Sequence, residues 1–253
     1  MKTSTTQRGF TLVELMIAVV IGLFLVGGLL TLVQAMKRTT VSQNGMAQLQ
    51  ESERMAMTLI TDVIQSSGYF VITSATVNNT AASSFPAVAP FTVAGQSIYG
   101  TGAFGGAANT VTITVRYMTS GTDNVINCNG GTSNVQATFV NTFSIDTANK
   151  NLVCQLTVNG GAPTTVALIN GITNMQIRYG VQTNTGVTSN SIDTYLDATL
   201  VTDWTAVKSV KITLTFVNPM YGNSPGQTTL ASTPATIDFT RIIPVMSNTG
   251  IAT

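Results

Sequence analysis

One feature constrains this chain more than any other: positions 10–33 form an apolar run interrupted only by Thr11, Glu14 and Thr31. As a helix, a run of that length spans a bilayer's hydrocarbon core, which takes about 20 residues. Residues 1–9 stand in front of it, short and polar, with Lys2 and Arg8. Basic flanks stay cytoplasmic, so the chain beyond the span is expected outside. An ordinary secretory signal has a shorter apolar core and a small-residue cleavage site after it. Here the candidate site precedes the apolar run, at Gly9. The run also lacks the Trp and Tyr belt of a typical permanent anchor.

Glu14 is the anomaly within the run. A carboxylate in an apolar helix costs roughly 2.5–3.5 kcal/mol on insertion scales. It admits two readings. Either it reaches the headgroups from a helix start, helped by the helix dipole, or it awaits a cationic partner with a role in function.

Composition narrows the function classes. Charged residues make up 8% of the chain, against about 25% in an average soluble protein. The formal net charge of +1 creates no broad field for a nucleic acid. Surface polarity must come from Thr, Asn, Ser and Gln, which suits an exported subunit that packs against many neighbours. There is no histidine. That removes the commonest general base and the commonest metal ligand. The chain is expected to be a structural protein and not an enzyme, with no cofactor and no metal.

The helix is expected to continue through residues 34–67, where no proline occurs. Met46, Leu49, Met57, Ile60 and Ile64 form a helical stripe. Glu51 and Arg54 are spaced to pair at i,i+3. Ser66, Ser67 and Gly68 mark its end. A straight helix over 10–67 would measure roughly 85 Å, more than a head of this size can bury. Its first half must be covered by lipid and then by other subunits. Gly22, Gly27 and Gly28 are ordinary for a membrane helix and allow close approach of another.

After Gly68 the texture changes. Residues 75–106 are rich in Thr, Ala, Ser, Gly and Pro, with a turn expected around Ser84, Phe85 and Pro86. Residues 110–117 alternate, with Val111, Ile113, Val115 and Tyr117 on one face and Thr112, Thr114 and Arg116 on the other, as in a half-buried strand. Further strands are expected near 137–144, 152–158, 172–179, 207–217 and 236–243. Turn signals separate them: Asn129-Gly130-Gly131, Asn159-Gly160-Gly161, Asn170-Gly171 and Tyr221-Gly222-Asn223. With no strand–helix–strand alternation, a mostly antiparallel sheet packed on the outer half of the helix is expected. The class is therefore α+β.

Other motifs carry less. Gly100, Gly102 and Gly105 fit G-x-G-x-x-G, but a dinucleotide site needs a strand before and a helix after. A β-type run follows, so a glycine-rich loop is expected. Asp123, Asn124, Asn127 and Asn129, or Asp193, Asp197 and Asp203, lack the spacing of a calcium loop. Lys37 and Arg38 flank the span as topology signals.

The order Arg8, Gly9, Phe10, Thr11, Leu12, Val13, Glu14 resembles the class III signal of type IV prepilins. The resemblance implies cleavage between Gly9 and Phe10 by an aspartic membrane prepilin peptidase, and methylation of the new Phe10 amine. It also implies that Glu14 faces the N-terminal ammonium of a neighbouring subunit and so takes part in assembly. Further on, Leu168-Ile169-Asn170-Gly171-Ile172 through Arg178 and Tyr179, then Asp193-Thr194-Tyr195, then Trp204-Thr205-Ala206-Val207 through Leu214, are similar to the PilW-type minor pilins. Residues 143–154 resemble the strand pair that precedes them there. Residues 239–248 match the family's closing strand only in part, and residues 75–106 match nothing we can name.

The resemblance implies a type IV pilin-like fold with four segments: a cleaved leader 1–9, a transmembrane and filament-core helix 10–33, its continuation 34–67, and a β-rich head 68–253. It implies a low-abundance subunit that helps prime a type IV pilus, with the tip as one position. The partners implied are other minor pilins, the major pilin, the prepilin peptidase, the inner-membrane assembly platform and membrane lipid. Localisation would be the inner membrane with the head in the periplasm, then the pilus at the cell surface, with adhesion, twitching motility and DNA uptake all open as the role served. A minor pseudopilin of type II secretion and a membrane-tethered adhesin are the alternative readings. In the oxidising periplasm Cys128 and Cys154 are expected to pair; the alternative is two buried thiols.

Overall fold

Thr11 starts the long helix. Its backbone carbonyl accepts from the N–H groups of Glu14 at 3.1 Å and Leu15 at 3.2 Å, and its Oγ1 accepts a second bond from Glu14 N at 3.3 Å. Helix α1 then runs over Leu12–Gln65. The computed structural model describes residues 9, 11–71, 80–183, 191–221 and 234–246. Phe10 and residues 1–8, Gly222 and Asn223 of one expected turn, and Ser247 and Asn248 of the expected tail lie outside the described residues.

The chain divides into two compact units, Met1–Ala47 with Pro219–Thr233, and Gln48–Asn218 with Pro234–Thr253. In the first, the helical residues 12–41 are all exposed. The most apolar stretch of α1 has a mean hydropathy of 2.7 with none of it buried by the chain. In the second unit, Leu49, Ala56, Met57, Ile60, Val63 and Ile64 are buried, at the three-and-four spacing of a single helical face. Met46, expected in that stripe, is half-buried. Glu51 and Arg54 pair through two bonds, 2.6 and 3.1 Å, at the exposed surface.

The helix ends where an apolar stripe gives way to Ser66, Ser67 and Gly68. Gly68 has φ 76°, a left-handed value that glycine takes without a Cβ penalty and that commonly stops a helix. Its N–H bonds the carbonyl of Arg116 at 3.0 Å, and Tyr69 O accepts from Met118 N at 2.8 Å. The helix end is thus tied to a central strand.

The sheet expectation needs one correction. There are two antiparallel sheets, not one. The first contains β1 (Ile98–Thr101), β2 (Thr112–Thr119), β3 (Ala137–Asp146), β4 (Asn151–Val158) and β5 (Thr164–Asn170), in that spatial order. The second is ordered β7-β6-β8-β9, from β6 (Ile172–Val181), β7 (Thr194–Leu196), β8 (Val207–Val217) and β9 (Thr236–Pro244). Strands β1, β5 and β7 were not expected. A short helix α2 covers Ala81–Ser84, capped by Thr80.

Alternation explains the strands that were expected. β3 buries every second residue, from Ala137 through Phe139, Asn141 and Phe143 to Ile145. The change of sheet happens at Asn170-Gly171. Ile172 N donates to Lys150 O in the β3–β4 turn, and Gly171 O accepts from Val217 N in the second sheet, both at 2.9 Å. The sheets also meet at Gly100, where an added Cβ would collide with the Tyr179 hydroxyl. Trp204 lies across the same seam, its ring 5.2 Å from Tyr99 of β1 and 4.8 Å from Tyr179 of β6. Gly100 and Thr101 belong to β1, so the G-x-G-x-x-G match begins in a strand; a single 3-10 turn, and no nucleotide-binding helix, follows at Ala108–Thr110.

Cys128 and Cys154 are bonded, with Cα atoms 6.3 Å apart and a sequence separation of 26. The bridge fastens the β2–β3 excursion to β4. Reduction is expected to lower the stability of the head by about 3–4 kcal/mol in the chain-entropy account, with strand content retained. Denaturant titration with and without reductant measures this; coincident curves would show that the bridge contributes nothing.

Candidate functional site: the N-terminal assembly segment and the PilW region

The N-terminal segment is built by local rules. Thr11 caps the helix with its side chain, and Glu14 sits three residues on, the T-x-x-E spacing of a capping box. The spacing is legible in the sequence itself. The spacing places Glu14 in the first turn, where the helix dipole favours a carboxylate. Among the described residues Glu14 has no ion-pair partner, and its neighbours Val13 and Leu15 are exposed. At Gly22, Gly27 and Gly28 an added Cβ would meet nothing within 4 Å, so their smoothness serves no contact within this chain. Gly9 is exposed.

The head contributes a second group of residues. Arg116 was expected on the polar face of a half-buried strand. Instead β2 is buried on both faces and Arg116 is 4% exposed. The segment 85–97 folds over it. Arg116 Nε donates to Gln96 O at 2.6 Å, Nη1 to Pro86 O at 2.8 Å and Nη2 to Phe85 O at 3.2 Å. Its guanidinium lies 4.2 Å from the ring centre of Phe91 and 5.2 Å from that of Phe85. Burial lowers its pKa to about 10, so it remains a cation at neutral pH. Three carbonyls and two aromatic faces stand in for a carboxylate. Gln96, fully buried, accepts from Thr92 N and Val93 N through Oε1 and donates to Ile98 O through Nε2.

The β2–β3 excursion is likewise self-satisfied. Asp123 accepts from the Thr119 hydroxyl and from Ser120 N at 2.8 Å. Partial burial opposes its charge, but these bonds and that of Val125 N outweigh it and hold the carboxyl at about 2. Asn127 Oδ1 accepts from Asn129 N and Gly131 N. Asn141 Oδ1 accepts from Cys128 N at 2.9 Å. These side chains close turns. No group of three or more His, Cys, Asp or Glu that could hold a metal exists among the described residues.

The C-terminal motifs map onto strands and their corners. Asp203 accepts from Thr205 N at 2.9 Å, which caps the 3-10 turn that positions Trp204 at the seam between the sheets. Arg178 stacks on Phe104, 3.8 Å from its ring centre, and lies 3.7 Å from Asp197. Tyr195 and Ser209 share a hydrogen bond of 3.1 Å.

Residues 4–30 match the model of the prokaryotic N-terminal methylation motif, and residues 139–241 match the family described as Type IV Pilus-assembly protein W. The two matches together support a minor pilin of the PilW type. The PilW match begins in β3 and ends in β9, so it takes in Cys154, the change of sheet at Gly171 and the Trp204 seam. No curated protein matches the chain. Among solved structures, a type IV-like pilin from Thermus thermophilus, TTHA1219, is similar at 10% identity, over 80% of this chain and 98% of its own, with a TM-score of 0.44. The minor pilin reading makes the chain a subunit of a type IV pilus, a structural family that works with other pilus components.

Arg116 gives a direct test of the head's construction. Arg116→Met keeps much of the side chain's bulk but removes the donor to the carbonyls of Gln96, Pro86 and Phe85, of which Phe85 O keeps its bond from Gly95 N, a loss of roughly 1–3 kcal/mol. Arg116→Lys should recover only part of it, since an ammonium cannot match the planar fork. Thermal melts of the two variants should rank wild type above Lys above Met. Equal melting temperatures would show that water serves those carbonyls as well.

Proposed function

We propose that this minor pilin is matured by removal of residues 1–9, with a prepilin peptidase cutting between Gly9 and Phe10 and methylating Phe10. The capped helix directly behind the leader carries this reading: residues 12–41 are wholly exposed in their own chain and need lipid before assembly and neighbouring helices after it. On this reading residues 10–33 are the membrane and filament-core segment, 34–67 continue the helix, and 68–253 form the head, which lies in the periplasm before assembly. The subunit joins other minor pilins at the inner-membrane platform, primes the pilus and occupies a position at or near its tip.

Mass spectrometry of membrane-extracted protein should find N-methylated Phe10 as the first residue. An intact Met1 would overturn the maturation scheme. Replacing Gly9 by a bulky residue should leave the leader uncut.

Glu14 supplies the second test. A carboxylate in the helix's first turn and the new Phe10 ammonium of a neighbour neutralise two buried charges together, while either alone in an apolar environment is costly. Glu14→Ala should be cut and methylated normally and held in the membrane as firmly as wild type. It should enter the filament poorly, with co-purification of partner minor pilins and surface pilus counts both falling several-fold. Wild-type values in both would return Glu14 to helix capping at the headgroups.

A further inference from the structure

Antiparallel sheets that end in solvent offer unpaired N–H and C=O groups to any other strand, and proteins blunt such edges with short strands, charges, proline or bulges. This head has four sheet edges. β1 and β7 are short, at 4 and 3 residues. β9 carries Asp238 and Arg241 and ends on Pro244. β5 has one such device, a bulge at Leu168 between the Leu152–Ile169 and Val153–Ala167 pairs, while residues 164–167 pair with β4 in regular register. It is 7 residues of sequence TTVALIN, with no charge and no proline. Its residues 164–167 are exposed, and Val166 is 42% exposed. Among the described residues, β5 pairs with β4 alone, and its outer edge is open.

A groove of about 340 Å³ adjoins the C-terminal half of this strand. Glu51, Ser52 and Met55 of α1 form one wall, and Leu168, Ile169 and Asn170 of β5 form part of the other. Met55 is 54% exposed there. An open edge with a side-chain-sized groove beside it is the arrangement that strand addition uses: main-chain bonds supply the hold, and pockets for alternate side chains supply selection.

We propose that β5 is a docking edge, and that its occupant is an uncharged extended segment of a different pilus subunit, which adds to the sheet as a sixth strand and places an apolar side chain against Met55. The proposal rests on the minor pilin reading. Subunits of a helical filament meet through unlike surfaces, so a low-abundance subunit meets another subunit's strand there and not a second β5. The occupant carries no charge because the edge offers none to pair with it, and a carboxylate entering the groove would meet Glu51.

The test uses the full-length, processed chain in detergent, alone and co-purified with other minor pilins from the same cells. Hydrogen exchange of peptides covering 164–170 is the main readout. In the complex their exchange should slow at least ten-fold relative to the chain alone. Ala167→Lys and Thr165→Lys, both at exposed positions, should each reduce co-purification at least ten-fold while leaving the melting temperature and the Cys128–Cys154 bond unchanged. A complex that forms with 164–170 exchanging as fast as before, or with both variants incorporated normally, overturns the docking edge and leaves the pilin reading standing. Slowed exchange in the chain alone, rising with concentration, overturns the proposed occupant in favour of a second copy. A wild-type chain that binds no other pilin overturns the pilin reading, and the proposal with it.

Discussion

Residues 12–41 form a helical surface that the rest of their own chain does not cover. Where the chain can reside depends on that. An apolar helix of this length is stable only where something else removes it from water. Lipid can do so, and so can the same segment of other subunits. Because both environments are apolar, transfer between them costs little in hydrophobic terms, and the choice falls to whatever polar feature differs between them. Within the apolar run 10–33 the one ionisable group is Glu14. The capping geometry at Thr11 fixes it in the first turn. On the reading proposed above, a residue that is costly in lipid would fix register in a bundle.

The head answers a different problem. With a tenth or less of its residues charged, it cannot rely on ion pairs, and only Glu51–Arg54 and Arg178–Asp197 come within 4 Å among the described residues. Its long connections are held by hydrogen bonds from single buried side chains instead. Arg116 gathers the segment 85–97, and Asn141 with the disulfide gathers the β2–β3 excursion. Tyr117 adds to the latter, its hydroxyl donating to Ile126 O at 2.7 Å. β2 carries both Arg116 and Tyr117 on opposite faces. It also receives the end of α1 through Gly68. One strand therefore joins the helix, the covering loop and the disulfide-closed excursion.

What the sequence made legible follows the same physics. The leader and the apolar run are dense, local signals, and the Leu49, Met57, Ile60 and Ile64 stripe has a clear period. Strands with one face in the core, β3 above all, alternate clearly. β5 does not, because both its faces are exposed along residues 164–167 and nothing selects polar against apolar there. β1 is hidden by Gly100, whose missing side chain makes room for Tyr179 in a distant strand. The second sheet escaped because alternation says which way a side chain points, not which strand lies beside it. Arg116 stood on the polar parity of β2, and only the folding of an unpatterned loop over that face buries it. Glu14 was legible as a capping residue from Thr11 alone.

Low charge has a consequence for assembly. Contacts made by backbone edges, threonine and asparagine are barely screened by salt, whereas ion pairs at exposed surfaces weaken within a Debye length of about 8 Å at physiological ionic strength. A subunit that must hold its place in a filament exposed to changing external media gains from the first kind and loses little by giving up the second. Its selectivity then has to come from shape and from the direction of hydrogen-bonding groups. The two sheets supply that, since the turn at Gly171 and the Trp204 seam fix where each edge lies. The region matched to PilW spans both features, which places the family's pattern on the framework that aims the edges and leaves the covering loop before β2 outside it.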